Sequence, residues 1–324
     1  MKKYDVVALG EVLIDFTPYG KSDKGMDLFE RNPGGAPANV LATVTKLGGN
    51  SAFIGKIGDD SHGRFLADSM IKSGVDMSGL CIDSEIPTTL AFVTLDEKGD
   101  RSFSFYRKPG ADVTLTYDEI NKDIVSDTKI FHFGSVSLTC DPVRTTTIEA
   151  AKYARKNGAI VSYDPNYRPL LWKNEKEASE IMSSALPLAD IVKVSDYELE
   201  LLTGETDLDK GAAKLLSYGA ALVLISMGPK GAYFNNGKAS RLLATYDVKT
   251  IDTTGAGDAF LGSILYKLCD MTKEEISNLT SGELTDIVDY ANACGSLTTT
   301  KTGAAPAIPT DAQILECMRT VPLL

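Results

Sequence analysis

The sequence predicts an α/β fold, a doubly wound and mostly parallel sheet flanked by helices with a small β-sheet lid, and two observations carry that reading. The first is a series of short, nearly continuous apolar runs: Val6 to Leu9, resuming beyond Gly10-Glu11 at Val12 to Ile14, then Ala52 to Ile57, Lys129 to Phe133, Ala159 to Tyr163, Ile191 to Val194 and Ala221 to Ile225. Strands buried on both faces need such runs, and the segments of helical spacing between most of them supply the crossovers of a parallel sheet. The second is a pair of stretches that break this rhythm, Asp15 to Arg31 and Thr88 to Tyr106.

Taken in order, Val6 to Ile14 reads as one strand that opens the sheet. Within the second irregular stretch, Thr89, Ala91, Val93 and Leu95 alternate with other residues ahead of Asp96-Glu97-Lys98-Gly99-Asp100, the pattern of a β-hairpin and its turn. A surface hairpin on the main body and a small sheet standing off it as a lid both fit. The expectation adopted is a lid formed by segments about 15–31 and 88–107, within a single domain spanning 1–324.

Composition narrows the function. With 324 residues, 43% hydrophobic and 24% charged, the chain can bury a full core without disulfides or metal. A formal charge of -11 argues against nucleic acid as a partner, because phosphate recognition needs a basic face. Cys81, Cys140, Cys269, Cys294 and Cys317 are odd in number and scattered, so neither a disulfide framework nor a zinc site is expected and a reducing cytoplasm fits. No apolar segment approaches the length of a signal core or a membrane span.

The chemistry concentrates at Ile251-Asp252-Thr253-Thr254-Gly255-Ala256-Gly257-Asp258, which leads into an apolar, proline-free helical stretch from Ala259 to Leu268. Small residues at a helix start leave backbone N–H groups unobstructed. Those groups lack internal partners and the helix dipole favours negative charge beside them, so Gly255, Ala256, Gly257 and Asp258 form a candidate anion hole. Asp258 in that turn can take a proton from an acceptor hydroxyl beside a bound phosphate. The same residues also fit an ordinary helix start with a dipole-favoured aspartate. A Walker A loop is excluded, since Asp15 stands where Gly20-Lys21-Ser22 would need a glycine and Lys56 is followed by Ile57. A dinucleotide fingerprint fails too, because the first strand ends in Gly10-Glu11 and Leu261 takes the third glycine position of the late motif.

A second constellation, Pro33-Gly34-Gly35-Ala36-Pro37-Ala38-Asn39-Val40, again runs glycines into an apolar helix. Close backbone approach at Gly34 and Gly35, the amide of Asn39 and the carboxylate of Asp15 suit a polyhydroxylated ligand. Read alone, it is equally a turn followed by a structural amide.

Together the two motifs resemble the two signatures of the ribokinase-like, PfkB-type carbohydrate kinases, and the match runs the length of the chain. The resemblance implies an ATP-dependent sugar kinase with Asp258 as base, the backbone of Gly255 to Asp258 as anion hole, and Asp15, Gly34, Gly35 and Asn39 as sugar contacts. The family's Asn-x-x-Glu element falls at Ser195-Asp196-Tyr197-Glu198, so Glu198 would act on Mg²⁺ through water while serine replaces asparagine. Nucleotide contacts are implied at Ser195, Ser226, Gly228, Gly231, Thr253, Gly255 and Asn292. A monovalent-cation loop would lie near Asp252, Thr254 and Gly303, and Ala307 in place of ribokinase's serine leaves potassium dependence open. The small sheet of this family often forms a dimer contact, which implies a homodimer through the lid.

Substrate choice rests on Asp164-Pro165-Asn166-Tyr167-Arg168 and on Phe105-Tyr106-Arg107, which resemble segments of both fructokinases and 2-keto-3-deoxygluconate kinases. Tyr106, Arg107 and Arg168 are thereby expected substrate contacts, and Asp164 with Arg168 also fits a plain strand-end ion pair. Leu90 to Leu95 and Ile130 to Ser135 look most like fructokinases, so phosphorylation of D-fructose at its primary hydroxyl is expected. An acid-sugar kinase is the alternative, and a non-catalytic binding protein on the same fold a more distant one.

Overall fold

The computed structural model describes residues 2–95 and 101–324, so the expected turn Asp96 to Asp100 lies outside the described residues. The chain opens with β1 (Tyr4–Leu9) and leaves the main body for β2 (Leu13–Lys21) and β3 (Asp27–Gly34). It returns through α1 (Ala36–Lys46), β4 (Ser51–Gly58), α2 (Ser61–Lys72) and β5 (Asp76–Asp83), then leaves again for β6 (Leu90–Leu95) and β7 (Arg101–Tyr106). After α3 (Lys122–Ser126) the alternation is regular: β8 (Thr128–Gly134), α4 (Val143–Lys156), β9 (Ile160–Asp164), α5 (Glu175–Ala185), β10 (Ile191–Ser195), α6 (Asp196–Thr203), α7 (Leu208–Ser217) and β11 (Leu222–Ser226). Then come β12 (Ala232–Asn235), β13 (Ser240–Leu243), α8 (Ala256–Leu268), α9 (Lys273–Asn278), α10 (Ser281–Thr298) and α11 (Asp311–Thr320).

Nine strands form the main sheet in the order β13-β12-β11-β10-β9-β8-β1-β4-β5, parallel except that β12 runs against both of its neighbours, β11 and β13. Winding runs from β1 toward β5 and then restarts at β8 toward β11. The order therefore reverses between β1 and β8, and in open α/β sheets ligands bind beyond the carboxyl ends of strands at such a switch point. The continuous apolar runs pack both faces. Val7, Phe131, Val161 and Val192 face a core shared with α4 to α7, while Val6, Ile130, Ile160 and Ile191 face one shared with α1, α2, α8 and α10.

The expected single strand from Val6 to Ile14 is two strands in two sheets. Pro37 packs against Gly10, where a β-carbon would lie 2.6 Å from its ring, and the chain turns there into a small four-stranded sheet, β3-β2-β6-β7. Ile14 to Phe16 of β2 pair in parallel with Leu90 to Phe92 of β6, which joins the two hairpins into one sheet. Side chains alternate across it: Asp15, Asn32, Ala91 and Phe105 share one face, and Phe16, Phe92 and Tyr106 share the other.

The chain passes between the sheets four times, and buried polar groups join the crossings. Glu11 Oε1 accepts the N–H of Ala36 at 3.0 Å, tying the departure before β2 to the return after β3. Asp112 accepts from Thr89 Oγ1 before β6 and from Arg107 Nε after β7 at 2.7 Å, and Arg107 Nη2 forms an ion pair with the same Oδ2 at 2.7 Å. Among the described residues no helix is long and apolar enough to cross a membrane. Arg107→Met would leave Asp112 buried without its cation and should cost about 3–5 kcal/mol in urea unfolding; a loss below about 1 kcal/mol, as for an exposed pair, would show that the pair does not fasten the small sheet.

Candidate active site

Helix α8 begins where the reasoning from small residues places it. Gly255 caps it in the left-handed region at φ 78, and a β-carbon there would meet that of Ala304 at 2.5 Å, so only glycine makes this entry. The N–H of Ala256 is shared with Thr253 O at 3.3 Å, which leaves Gly257 and Asp258 as the less committed donors of the first turn. Asp258 is buried, and its Oδ2 accepts from Asn39 Nδ2 at 2.8 Å. Burial pushes its carboxyl up, and the Asn39 hydrogen bond, Lys193 and Arg168 oppose that rise.

The paired glycines act by what they lack. A β-carbon at Gly34 would stand 2.0 Å from Asp15 Oδ2, and one at Gly35, whose φ is 114, would stand 2.4 Å from the carbonyl of Glu11. Gly34 thus makes room for the Asp15 carboxylate and Gly35 lets α1 start against the end of β1. Burial raises Asp15 to about 6, Arg168 opposes, and the charges of Asp258 and Asp252 push the same way as burial. Exposed Arg168 therefore lies within the electrostatic reach of both Asp15 and Asp258.

Beside the α8 turn lies a cavity of about 480 Å³ lined by Ser226, Gly228, Gly231, Thr253, Ala256, Gly257 and Asn292 among others. All of these except Ala256 and Gly257 are expected nucleotide contacts, and the two exceptions belong to the expected anion hole. Asn292 is oriented by its Nδ2 donating to Ala244 O at 3.0 Å. Across the turn, Asp252 accepts from Thr254 N at 2.8 Å and from Gly303 N at 3.1 Å, which brings the three expected cation-loop residues together.

Four expectations change. Tyr106 shares the face of Phe92, 5.5 Å between ring centroids, and not the face of Asp15, because strand parity gives the Asp15 side to Phe105. Arg107 is committed to Asp112, to Thr139 Oγ1 at 2.8 Å and to Val136 O at 3.0 Å, so it anchors the small sheet and does not offer a free charge. Ser195 caps α6, accepting from Glu198 N at 3.1 Å while Glu198 Oε2 accepts from Ser195 N at 2.7 Å, and it lies outside the cavity lining. Asp164 pairs with Lys193 at 2.8 Å, not with Arg168.

Two residues escape the sequence reading. Lys193 stands in the middle of a buried strand, and a lysine inside the run Ile191 to Val194 was the available signal, since such a charge needs a partner. Glu11 is buried, its Oε2 has no hydrogen-bond partner among the described residues, and burial raises it to about 7 with Arg107 opposing. Its signal, an acid in an apolar run, is weaker.

A model of the pfkB family carbohydrate kinases matches residues 3–311, and the chain belongs to that family. It is 44% identical over 314 residues to fructokinase-1 of Zea mays, covering 96% of both chains. Among solved structures it is similar to the fructokinase of Xylella fastidiosa with bound ATP, at TM-score 0.90 and 33% identity over 98% of both chains. It is similar also to a double mutant of the Vibrio cholerae O395 fructokinase with fructose, ADP and potassium ion bound, at TM-score 0.86 and 34% identity, covering 98% and 99% of the two chains. Gly34→Ala should displace the Asp15 carboxylate and lower carbohydrate-dependent ATP turnover about 10²-fold, while Gly282→Ala, open in the first turn of α10, should leave it unchanged; equal turnover in the two would refute the steric role of Gly34.

Proposed function

We propose that the chain transfers the γ-phosphoryl group of ATP to the primary hydroxyl of D-fructose, giving fructose 6-phosphate and ADP. The observation that carries this reading is the hydrogen bond from Asn39 to Asp258, which joins the polyhydroxyl-binding motif to the phosphate-binding turn. Asp15 accepts from sugar hydroxyls in the room left by Gly34, with Gly35 and Asn39 beside it. Asp258 takes the hydroxyl proton as the new oxygen–phosphorus bond forms and the bond to the ADP oxygen breaks. The N–H groups from Gly255 onward, Gly257 and Asp258 foremost, hold the negative charge of the transferred group.

The nucleotide occupies the cavity lined by Ser226, Gly228, Gly231, Thr253 and Asn292. Mg²⁺ neutralises ATP phosphates when bound, and Glu198 suits action through water, because both of its oxygens already accept backbone N–H groups of Tyr167 and Ser195. Asp252, Thr254 and Gly303 are the residues for a monovalent cation. With Arg107 committed to Asp112 and Lys193 to Asp164, Arg168 is the exposed cation beside Asp15 and Asp258, which favours a neutral sugar over an acidic one.

The segments about 15–31 and 88–107 are read as a lid that closes over the sugar within one kinase domain and keeps water from accepting the phosphoryl group. Its outer face carries Phe29, Phe92 and Tyr106 in contact, with Met26 and Leu28 exposed nearby, and supports a homodimer through the lid. Scattered thiols, three of them buried, support a cytoplasmic enzyme.

An ATP-consumption assay with fructose, ribose and 2-keto-3-deoxygluconate tests the substrate: fructose should be preferred, and preference for the acid sugar would overturn that assignment. Asp258→Asn should lower kcat by about 10² to 10⁴ with ATP affinity nearly intact; activity within a few-fold of wild type would remove Asp258 as base. Below about pH 6 Asp15 is protonated, loses its charge and becomes a weaker acceptor, so kcat/KM for sugar should fall as pH drops through about 6. A profile unaltered in that range by Asp15→Asn would assign the limb elsewhere. Phe29→Asp with Tyr106→Asp should halve the sedimenting mass if the lid forms the dimer.

A further inference from the structure

Residue parity on the main sheet places a polar row in an apolar layer. Ile191 and Lys193 share the face of β10 that lies beneath α8, and Val192 and Val194 take the other face. On neighbouring strands the same face carries Asp164, Ser162 and His132, with His132 Nδ1 and Ser162 Oγ 3.1 Å apart. Lys193 is the buried cation of this row. Its Nζ lies 2.8 Å from Asp164 Oδ2 and 3.2 Å from where a β-carbon at Gly257 would be, directly under the first turn of α8. Asp164 is the one hydrogen-bond acceptor of that ammonium among the described residues, and its other oxygen accepts from Asn166 N at 3.1 Å, which fixes it.

We infer that Lys193 is a positioning residue for phosphoryl transfer, a fixed positive charge beneath the Gly257 turn that acts on Asp258 and offsets the charge of the phosphoryl group. The inference rests on the kinase reading above. An ammonium locked by Asp164 needs no reorganisation when charge moves above it, the condition under which buried electrostatics act most strongly. A glycine at 257 is what allows it so near. Burial alone would disfavour the lysine's charge, yet Asp164, Glu198 and Asp258 hold it above the ordinary lysine value. His132, lowered to about 3 by burial and by Lys193, stays neutral and does not compete.

The charged groups facing Asp258 are Lys193 from β10, Arg168 after β9, Asp164 from β9 and Asp15 from β2, with Glu198 of α6 acting on Lys193. Removing the lysine leaves one cation against these carboxylates. The test is the pH profile of kcat at saturating sugar and ATP, which reports groups in the bound complex. Lys193→Met should move its acid limb upward by about one pH unit and lower kcat at pH 7 by about 10–100-fold, and Lys193→Arg should restore the limb. Because Lys193→Met strands Asp164, the double change Lys193→Met with Asp164→Asn is made as well and should show a limb still displaced upward, by less than in the single variant since a like charge leaves with the cation, and a wild-type melting temperature. An unmoved limb with kcat within about threefold of wild type in the folded double variant overturns the inference. If Asp258→Asn is then still inactive, the kinase reading stands without it. If Asp258→Asn is active, that reading fails first.

Discussion

The arrangement depends on a buried knot of charge where the chain crosses between its two sheets. Glu11, Arg107 and Asp112 stand together there, and through Ala36 and Thr89 they fasten all four crossings of the small sheet. An arginine and an aspartate this deeply buried are costly to desolvate and stable only as a pair with their remaining donors met. That requirement converts two hairpins, remote in sequence, into one platform with a defined attachment. Asp15 is delivered to the site by that platform, so a contact remote from α8 sets where its carboxylate stands.

At the site itself, carboxylates crowd one end of the parallel strands. Asp15, Asp164 and Asp258 are all raised by burial, and Lys193 with Arg168 are the cations set against them. In the first turn of α8 the less committed donors are backbone N–H groups, those of Gly257 and Asp258. Glycines at 34, 35, 255 and 257 are each explained by something that a β-carbon would strike or crowd: Asp15, Glu11, Ala304 and Lys193 in turn.

Much of this was legible in the sequence because two signals are local. Continuous apolar runs mark doubly covered strands, and glycines leading into a proline-free apolar stretch mark an open helix start. What was not legible turns on register and partnership. Whether Phe105 or Tyr106 faces Asp15 depends on a one-residue parity that no local composition fixes. The break at Gly10-Glu11 depends on Pro37 packing from another element. Arg107 looked like a ligand for the substrate because an arginine beside a binding segment reads the same whether its partner is a bound molecule or Asp112. β5 and β13 lack continuous apolar runs, since as the edge strands of the main sheet they are covered on fewer sides.

The hydrogen bond between Asn39 and Asp258 spans 219 positions of sequence. During synthesis the platform, α1 and most of the parallel strands emerge well before α8, which must then dock against α1 and α10. Until it does, Asp258 and the open first turn of α8 are missing from the site. An incomplete nascent chain therefore holds the Asn39 side of this contact without its Asp258 side.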